Sequence, residues 1–141
     1  MAAFVDTNIL LYAFSNASGG QIEKTILAKR LIGDLIRERS LLLSSQVLSE
    51  FIANATRKGT PPLALADVAE IVNELSRQTV LPVDATLVIK ALQRVEQSRI
   101  SYWDALIVEA AICSGATVLL TEDMHHGMRY GQLELSNPFL T

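Results

Sequence analysis

Ala3-Phe4-Val5-Asp6-Thr7-Asn8-Ile9-Leu10 is the stretch on which the fold turns. Three apolar residues make a short strand, Asp6 ends it, and the chain passes at once into Thr7-Asn8-Ile9-Leu10. Reading outward, four β-like runs emerge, at residues 2–6, 41–44, 79–82 and 117–120. All are apolar on both faces or nearly so, the pattern of parallel strands covered by helices.

Helical patterns fill the intervals. Residues 21–39 carry Ile22, Ile26, Leu31, Leu35 and Ile36 at helical spacing, with Lys24, Lys29 and Arg37 between them, which predicts an amphipathic helix. The polar, glycine-ended stretch 15–20 reads as the loop before it. Residues 45–58 place Val47, Leu48, Phe51, Ile52 and Ala55 on one stripe, and Gly59-Thr60-Pro61-Pro62 stops that helix. Residues 63–77 present Leu65, Val68, Ile71, Val72 and Leu75 as a buried face, although Leu65, Val68 and Ile71 would serve equally in a dimer contact. Residues 84–97 and 102–114 form two further helices. Ser101 with Asp104 matches a capping box, and Gly115 closes the last helix. Alternating strands and helices imply an α/β fold, a three-layer α/β/α sandwich with a central parallel sheet. Without repeat, low-complexity tract or linker, residues 1–141 read as one domain.

At 141 residues, half of them apolar, the chain can bury a proper core and is not a disordered one. No apolar stretch approaches the roughly 20 residues of a membrane span, and no basic segment followed by a long apolar run opens the sequence. One cysteine, Cys113, excludes an internal disulfide framework and fits a reducing compartment; its apolar helical setting predicts a buried position. A cytoplasmic protein is the expectation. Net charge of −3 argues against a protein that coats nucleic acid through a basic surface. It is compatible with a nuclease whose carboxylates gather at one site.

Four carboxylates stand where such a fold lines a cleft: Asp6 at a strand end, Glu50 on a helix, Asp104 in a first helical turn, and Asp123 after the last strand. In parallel α/β sheets ligands bind outside the carboxyl ends of the strands. Two carboxylates about 4 Å apart repel by about 4 kcal/mol at an effective dielectric near 20, so a converging set asks for a cation or for protonation. Oxygen donors suit hard ions, Mg²⁺ or Mn²⁺, better than zinc. Each residue also has a purely structural reading. Asp6 can N-cap a helix beginning near Thr7, Asp104 can complete the box with Ser101, and Asp123 can cap a short helix. Glu50, beside Phe51 and one turn from Val47, is harder to explain without a partner. Asn8 and Thr121 are supporting polar candidates, or local caps. Glu122 reads as solvent-facing, and His125-His126-Gly127 as an exposed turn.

The segments Val5-Asp6-Thr7-Asn8-Ile9-Leu10, Ser49-Glu50-Phe51, Tyr102-Trp103-Asp104-Ala105-Leu106-Ile107 and Leu119-Leu120-Thr121-Glu122-Asp123-Met124 together resemble the PIN-domain ribonucleases, most closely the VapC-type toxins of toxin–antitoxin pairs. The resemblance spans nearly the whole chain and departs from the family at no acidic position. It implies a Mg²⁺- or Mn²⁺-dependent endoribonuclease with Asp6, Glu50, Asp104 and Asp123 as catalytic, metal-binding carboxylates. It also implies a homodimer, neutralised by a small antitoxin whose C-terminal segment fills the active-site groove. Glu50 is open to two roles, ligand or acceptor of the nucleophile's proton. Arg57, Lys58, Arg94 and Arg99 are candidates to hold the RNA backbone, or are solvated helix surface. An aspartyl-phosphate phosphotransferase is the rival enzyme, but it expects a second Asp where Asn8 stands. A PIN-type RNA-processing nuclease outside any toxin–antitoxin pair, and a non-catalytic PIN-like binding module, are the remaining alternatives.

Overall fold

The first apolar run forms strand β1 (Ala3–Val5), with all three side chains buried. Asp6 is extended, accepts a hydrogen bond from the Thr7 amide on its side chain, and so starts α1 (Thr7–Ala13) directly from the strand. Ser44 does the same one crossover later: it ends β2 (Leu41–Ser44) and caps α3 (Ser45–Ala55) through the Val47 amide. Between them lies α2 (Ile22–Arg37); after them come α4 (Leu65–Leu75), β3 (Thr79–Leu81), α5 (Ala85–Ser98), α6 (Tyr102–Cys113), β4 (Val118–Leu120), β5 (Arg129–Tyr130) and β6 (Leu133–Ser136). The computed structural model describes residues 2–15, 21–57 and 63–140. The expected loop residues 16–20, the helix stop Gly59-Thr60-Pro61-Pro62 and Lys58 lie outside the described residues.

The sheet has the order β3-β2-β1-β4-β6-β5. β1 pairs in parallel with β2 on one side and β4 on the other, and β6 extends the parallel array beyond β4. Helix α1 packs on both α2 and α3, α3 packs on α4, and α5 packs on α6, so the expected α/β sandwich with a mostly parallel sheet is the observed architecture. Helix α6 is buried continuously from Ala105 to Ala111, as a helix enclosed by neighbours must be. It closes with a Schellman motif. The Gly115 amide bonds the Ile112 carbonyl and the Ala116 amide the Ala111 carbonyl, with Gly115 at φ +79°.

Several expectations fail, each for a local reason. The last two strands were not expected. β5 runs antiparallel to β6 through a two-residue turn whose first residue, Gly131, has positive φ, the glycine position of a tight hairpin. The signal was the alternation Leu133-Glu134-Leu135-Ser136, whose leucines are buried. β3 is not covered on both faces, because it is the sheet edge and Thr79 is exposed. In α2 the expected face holds only in its second half: Leu35 and Ile36 pack against the core, but Ile22 and Ile26 are exposed, and Thr25, Ala28 and Ile32 face inward. Small residues let α2 approach, while the long stems of Lys24 and Lys29 reach Glu122 and the Ala13 carbonyl. In α4 Val68 and Leu75 are buried but Leu65, in the first turn, is 73% exposed. Cys113, expected in the core, is exposed at the outer end of α6, with Lys90 Nζ 3.9 Å from its sulfur.

The phase of α2 is testable. Ile32→Ala is expected to cost about 2–5 kcal/mol in urea unfolding, as a buried large-to-small change does. Ile26→Ala should stay within about 0.5 kcal/mol of wild type, and the reverse ranking would refute the observed phase.

Candidate active site

Chain order along the sheet reverses at β1: β2 and β3 lie to one side, and β4, β6 and β5 to the other. The crevice at such a reversal, beyond the carboxyl ends of the strands, is where α/β folds place ligands. Asp6 ends β1 there, and Thr121 ends β4 beside it. Asp6 is 8% exposed. Its Oδ1 accepts from the Thr7 amide at 2.7 Å and its Oδ2 from the Thr121 hydroxyl at 2.8 Å.

The first turn of α1 then ties in two more carboxylates. Thr7 donates its hydroxyl to Glu50 Oε1 at 3.0 Å, linking α1 to α3. Asn8 donates through Nδ2 to Asp123 Oδ2 at 3.0 Å and to Asp6 Oδ2 at 3.4 Å. Its Oδ1 accepts from the Glu122 amide at 3.1 Å. One carboxamide therefore spans the two strand ends. Thr121, 1% exposed, also accepts from the Asp123 amide at 3.3 Å. Asp104 enters from the first turn of α6, where Ser101 caps its amide at 3.1 Å. Asp6, Glu50, Asp104 and Asp123 all line one cleft of about 190 Å³.

The capping reading of Asp6 holds alongside the shared cleft, whereas only the Ser101 half of the box with Asp104 forms, with no return bond from the Ser101 amide to the Asp104 carboxylate. Asp6 is the cap of α1, and Ser101 caps α6 at the Asp104 amide. Asp123 caps nothing: residues 122–124 are a bend, not a helix. Asp6 is the electrostatic pressure point. Its carboxyl is raised from 3.8 to about 6, chiefly by burial, with the hydrogen bonds from Thr121 and Thr7 pulling the other way and the charges of Glu50 and Asp123 adding to the rise. Among the described residues no three His, Cys, Asp or Glu side chains close into a ready-made ligand set. The titratable residues lining the cleft are nevertheless all carboxylates, with no His or Cys among them, a donor chemistry that fits a hard divalent cation.

Residues not singled out in the sequence complete the cleft. Gln46, Glu50 and Asn54 line it together, a polar stripe at i, i+4, i+8 beside the apolar stripe of Val47, Phe51 and Ala55. That spacing was the available signal. Asn54 donates to the Glu50 carbonyl at 2.7 Å. Glu122, expected to face solvent, is half-buried and accepts from the Tyr12 hydroxyl at 2.7 Å and from Lys24. The bend after β4 carries it back over α1 and α2. His125 and His126 are exposed as expected, His126 Nδ1 accepting from the Asn137 amide.

The basic candidates separate. Arg94 is engaged in the fold, with Nε 2.9 Å from Glu109 and the guanidinium 5.2 Å from the Tyr130 ring centroid. It does not line the cleft. Arg99 is the left-handed C-cap of α5 and is exposed. Arg57 lines a neighbouring groove of about 390 Å³, walled by Leu11, Tyr12, Phe14, Phe51 and Leu63 and sharing Asn8 and Asn54 with the cleft.

Comparison with known proteins adds to this geometry. Residues 3–126 match the model of the PIN domain family. Among curated proteins no sequence matches. Among solved structures, a toxin–antitoxin complex from Klebsiella pneumoniae superposes with a TM-score of 0.71 at 16% identity, covering 98% of each chain. The sarcin–ricin-loop-cleaving toxin VapC20 of Mycobacterium tuberculosis gives 0.62 at 20%, covering 84% of this chain and 87% of its own. VapBC2 of Rickettsia felis, bound to a DNA fragment from its promoter, gives 0.65 at 22%, covering 97% and 98%. At these identities the likeness is one of fold.

The state of Asp6 has a measurable consequence. Its folded carboxyl holds the proton more tightly than the unfolded one, so its ionisation costs stability as pH rises from about 4 through about 6. In metal-free protein that cost is on the order of 3 kcal/mol at neutral pH. Asp6→Asn should therefore be more stable than wild type at pH 7, and the difference should shrink as pH falls towards 4. A difference independent of pH in urea unfolding would contradict this origin.

Proposed function

The chain belongs to the PIN domain family, and on that premise we propose that it is a divalent-metal-dependent endoribonuclease, the toxin of a toxin–antitoxin pair. What carries the reading is the meeting of Asp6, Glu50, Asp104 and Asp123 in one cleft at the chain reversal of the sheet. Asp6, Asp104 and Asp123 are the groups to hold Mg²⁺ or Mn²⁺, which when bound would neutralise charge on the phosphate oxygens and acidify a water.

The protein's own part is positioning. Thr121 and the Thr7 amide fix both oxygens of Asp6. Asn8 fixes the angle of Asp123 against Asp6. Thr7 leaves Glu50 one carboxylate oxygen tethered, so the residue can ligate or take the proton of the attacking water. Attack by water on phosphorus breaks the bond to the ribose 3′ oxygen, which takes up a proton. The products are a 3′-hydroxyl and a 5′-phosphate.

The toxin role is supported by two of the neighbours, one described as a toxin–antitoxin complex and one as a toxin. An antitoxin segment has a seat of matching chemistry. The apolar groove between α1 and α3 runs into the acidic cleft through Asn8 and Asn54, so an apolar segment ending in a basic side chain would complement both. A homodimer working in the cytoplasm belongs to the same reading. No helix among the described residues is long and apolar enough to cross a membrane.

Cleavage of a mixed structured RNA should require Mg²⁺ or Mn²⁺ and stop with EDTA. Asp6→Asn and Asp104→Asn should abolish it, while Asn8→Ala, which removes a positioning partner, should slow it about 10–100-fold. Mg²⁺ should also raise the melting temperature of wild type more than that of Asp6→Asn. A 2′,3′-cyclic phosphate product would reject attack by water. Cutting unaffected by both aspartate substitutions would reject the site.

A further inference from the structure

Trp103 stands out once the carboxylates are placed. It is the only tryptophan of the chain and is 62% exposed, though a side chain of this size normally gives most of its surface to a core. It precedes Asp104 in the first turn of α6 and forms part of the acidic cleft. It also walls an open, mainly apolar groove of about 550 Å³ against α3, with Ser49, Ala53, Val83 and Leu106. Gln46 and Glu50 belong to both cavities, so groove and cleft are continuous across the ring.

The ring is also held. Tyr102 packs edge-on against it, with centroids 5.1 Å apart and planes at 70°. Gln46 Nε2 donates to the Trp103 carbonyl at 3.4 Å, which ties the start of α6 to α3. The Gln46 side-chain oxygen is buried with no hydrogen-bond partner in the protein. An exposed, positioned indole beside the acidic cleft offers a stacking face to an unpaired base.

We propose that Trp103 is a stacking platform for a nucleobase of single-stranded RNA, seating the nucleotide next to the scissile phosphate in the groove between α6 and α3. The inference rests on the ribonuclease reading and deepens it: the substrate is an unstacked loop or single strand rather than a continuous duplex, whose bases offer no free face. Gln46 is a positioning residue for the platform.

Because Trp103 is the sole tryptophan, its emission reports the event directly. The protein is titrated in EDTA, where no turnover occurs, with a mixed-sequence single-stranded oligoribonucleotide, a duplex of the same composition, and inorganic polyphosphate. The single strand should quench the emission; duplex and polyphosphate should not. By fluorescence anisotropy of a labelled strand, Trp103→Ala should weaken binding about tenfold and Trp103→Phe much less, since one base–aromatic stack is worth about 1–3 kcal/mol. Melting temperatures of both variants should match wild type.

If wild type cuts RNA with metal but Trp103→Ala binds and cuts equally well, stacking is overturned and the nuclease stands. If wild type neither binds nor cuts RNA, both readings fall. Quenching by duplex equal to that by single strand overturns the unpaired-base specificity. A change of oligomeric state in Trp103→Ala by light scattering would reassign the ring to a contact between copies. Quenching by a basic amphipathic peptide but not by RNA would reassign it to a protein partner. Either reassignment overturns the proposal.

Discussion

A buried carboxylate bridging two strand ends is the constraint on which this site depends. Asp6 has one oxygen on the Thr7 amide and the other on the Thr121 hydroxyl. The first bond turns β1 into α1 without a loop. The second fastens β1 to β4 across the boundary where chain order reverses. A carboxylate so placed is costly: burial and two like charges raise its pKa to about 6. Such a group persists where its surroundings over-determine it, and it belongs with function more than with stability.

The neighbouring residues can be understood as ways of holding like charges at a distance that leaves room between them. Thr7 draws Glu50 towards α1, and Asn8 draws Asp123 towards β1, each with a neutral donor and not a cation. Lys24 pairs with Glu122 and Arg94 with Glu109, so these bases do not neutralise the four cleft carboxylates. Among the described contacts the cleft carboxylates are thus held by neutral donors, an arrangement that favours attraction of a cation.

What misled sequence reading was the assumption that the most apolar stripe of a helix faces inward. In α2 the isoleucines at 22 and 26 face out and Thr25 and Ala28 face in, because close approach of helices favours small residues and lysine stems can cover apolar surface. Cys113 followed the same error at the end of α6. Arg94 looked like a surface base until α5 and α6 enclosed it with Glu109 and Tyr130. The hairpin of β5 and β6 escaped because each strand is too short for periodicity to register strongly.

By itself the sequence determined the alternation of strands and helices, the α/β class, the caps at Asp6 and Ser101, and the identity of four acidic residues worth bringing together. Those depend on local patterns, periods of two and 3.6 and a few capping side chains. Tertiary structure alone decided that β4 lies beside β1, that Asn8 reaches Asp123, which is 115 residues away, and which side chains of α2 and α5 are consumed by pairing. It also decided that Gln46 and Trp103 join the cleft wall. These are contacts between elements distant in sequence, set by sheet order and helix rotation. A one-residue change of phase alters them while leaving every local pattern intact.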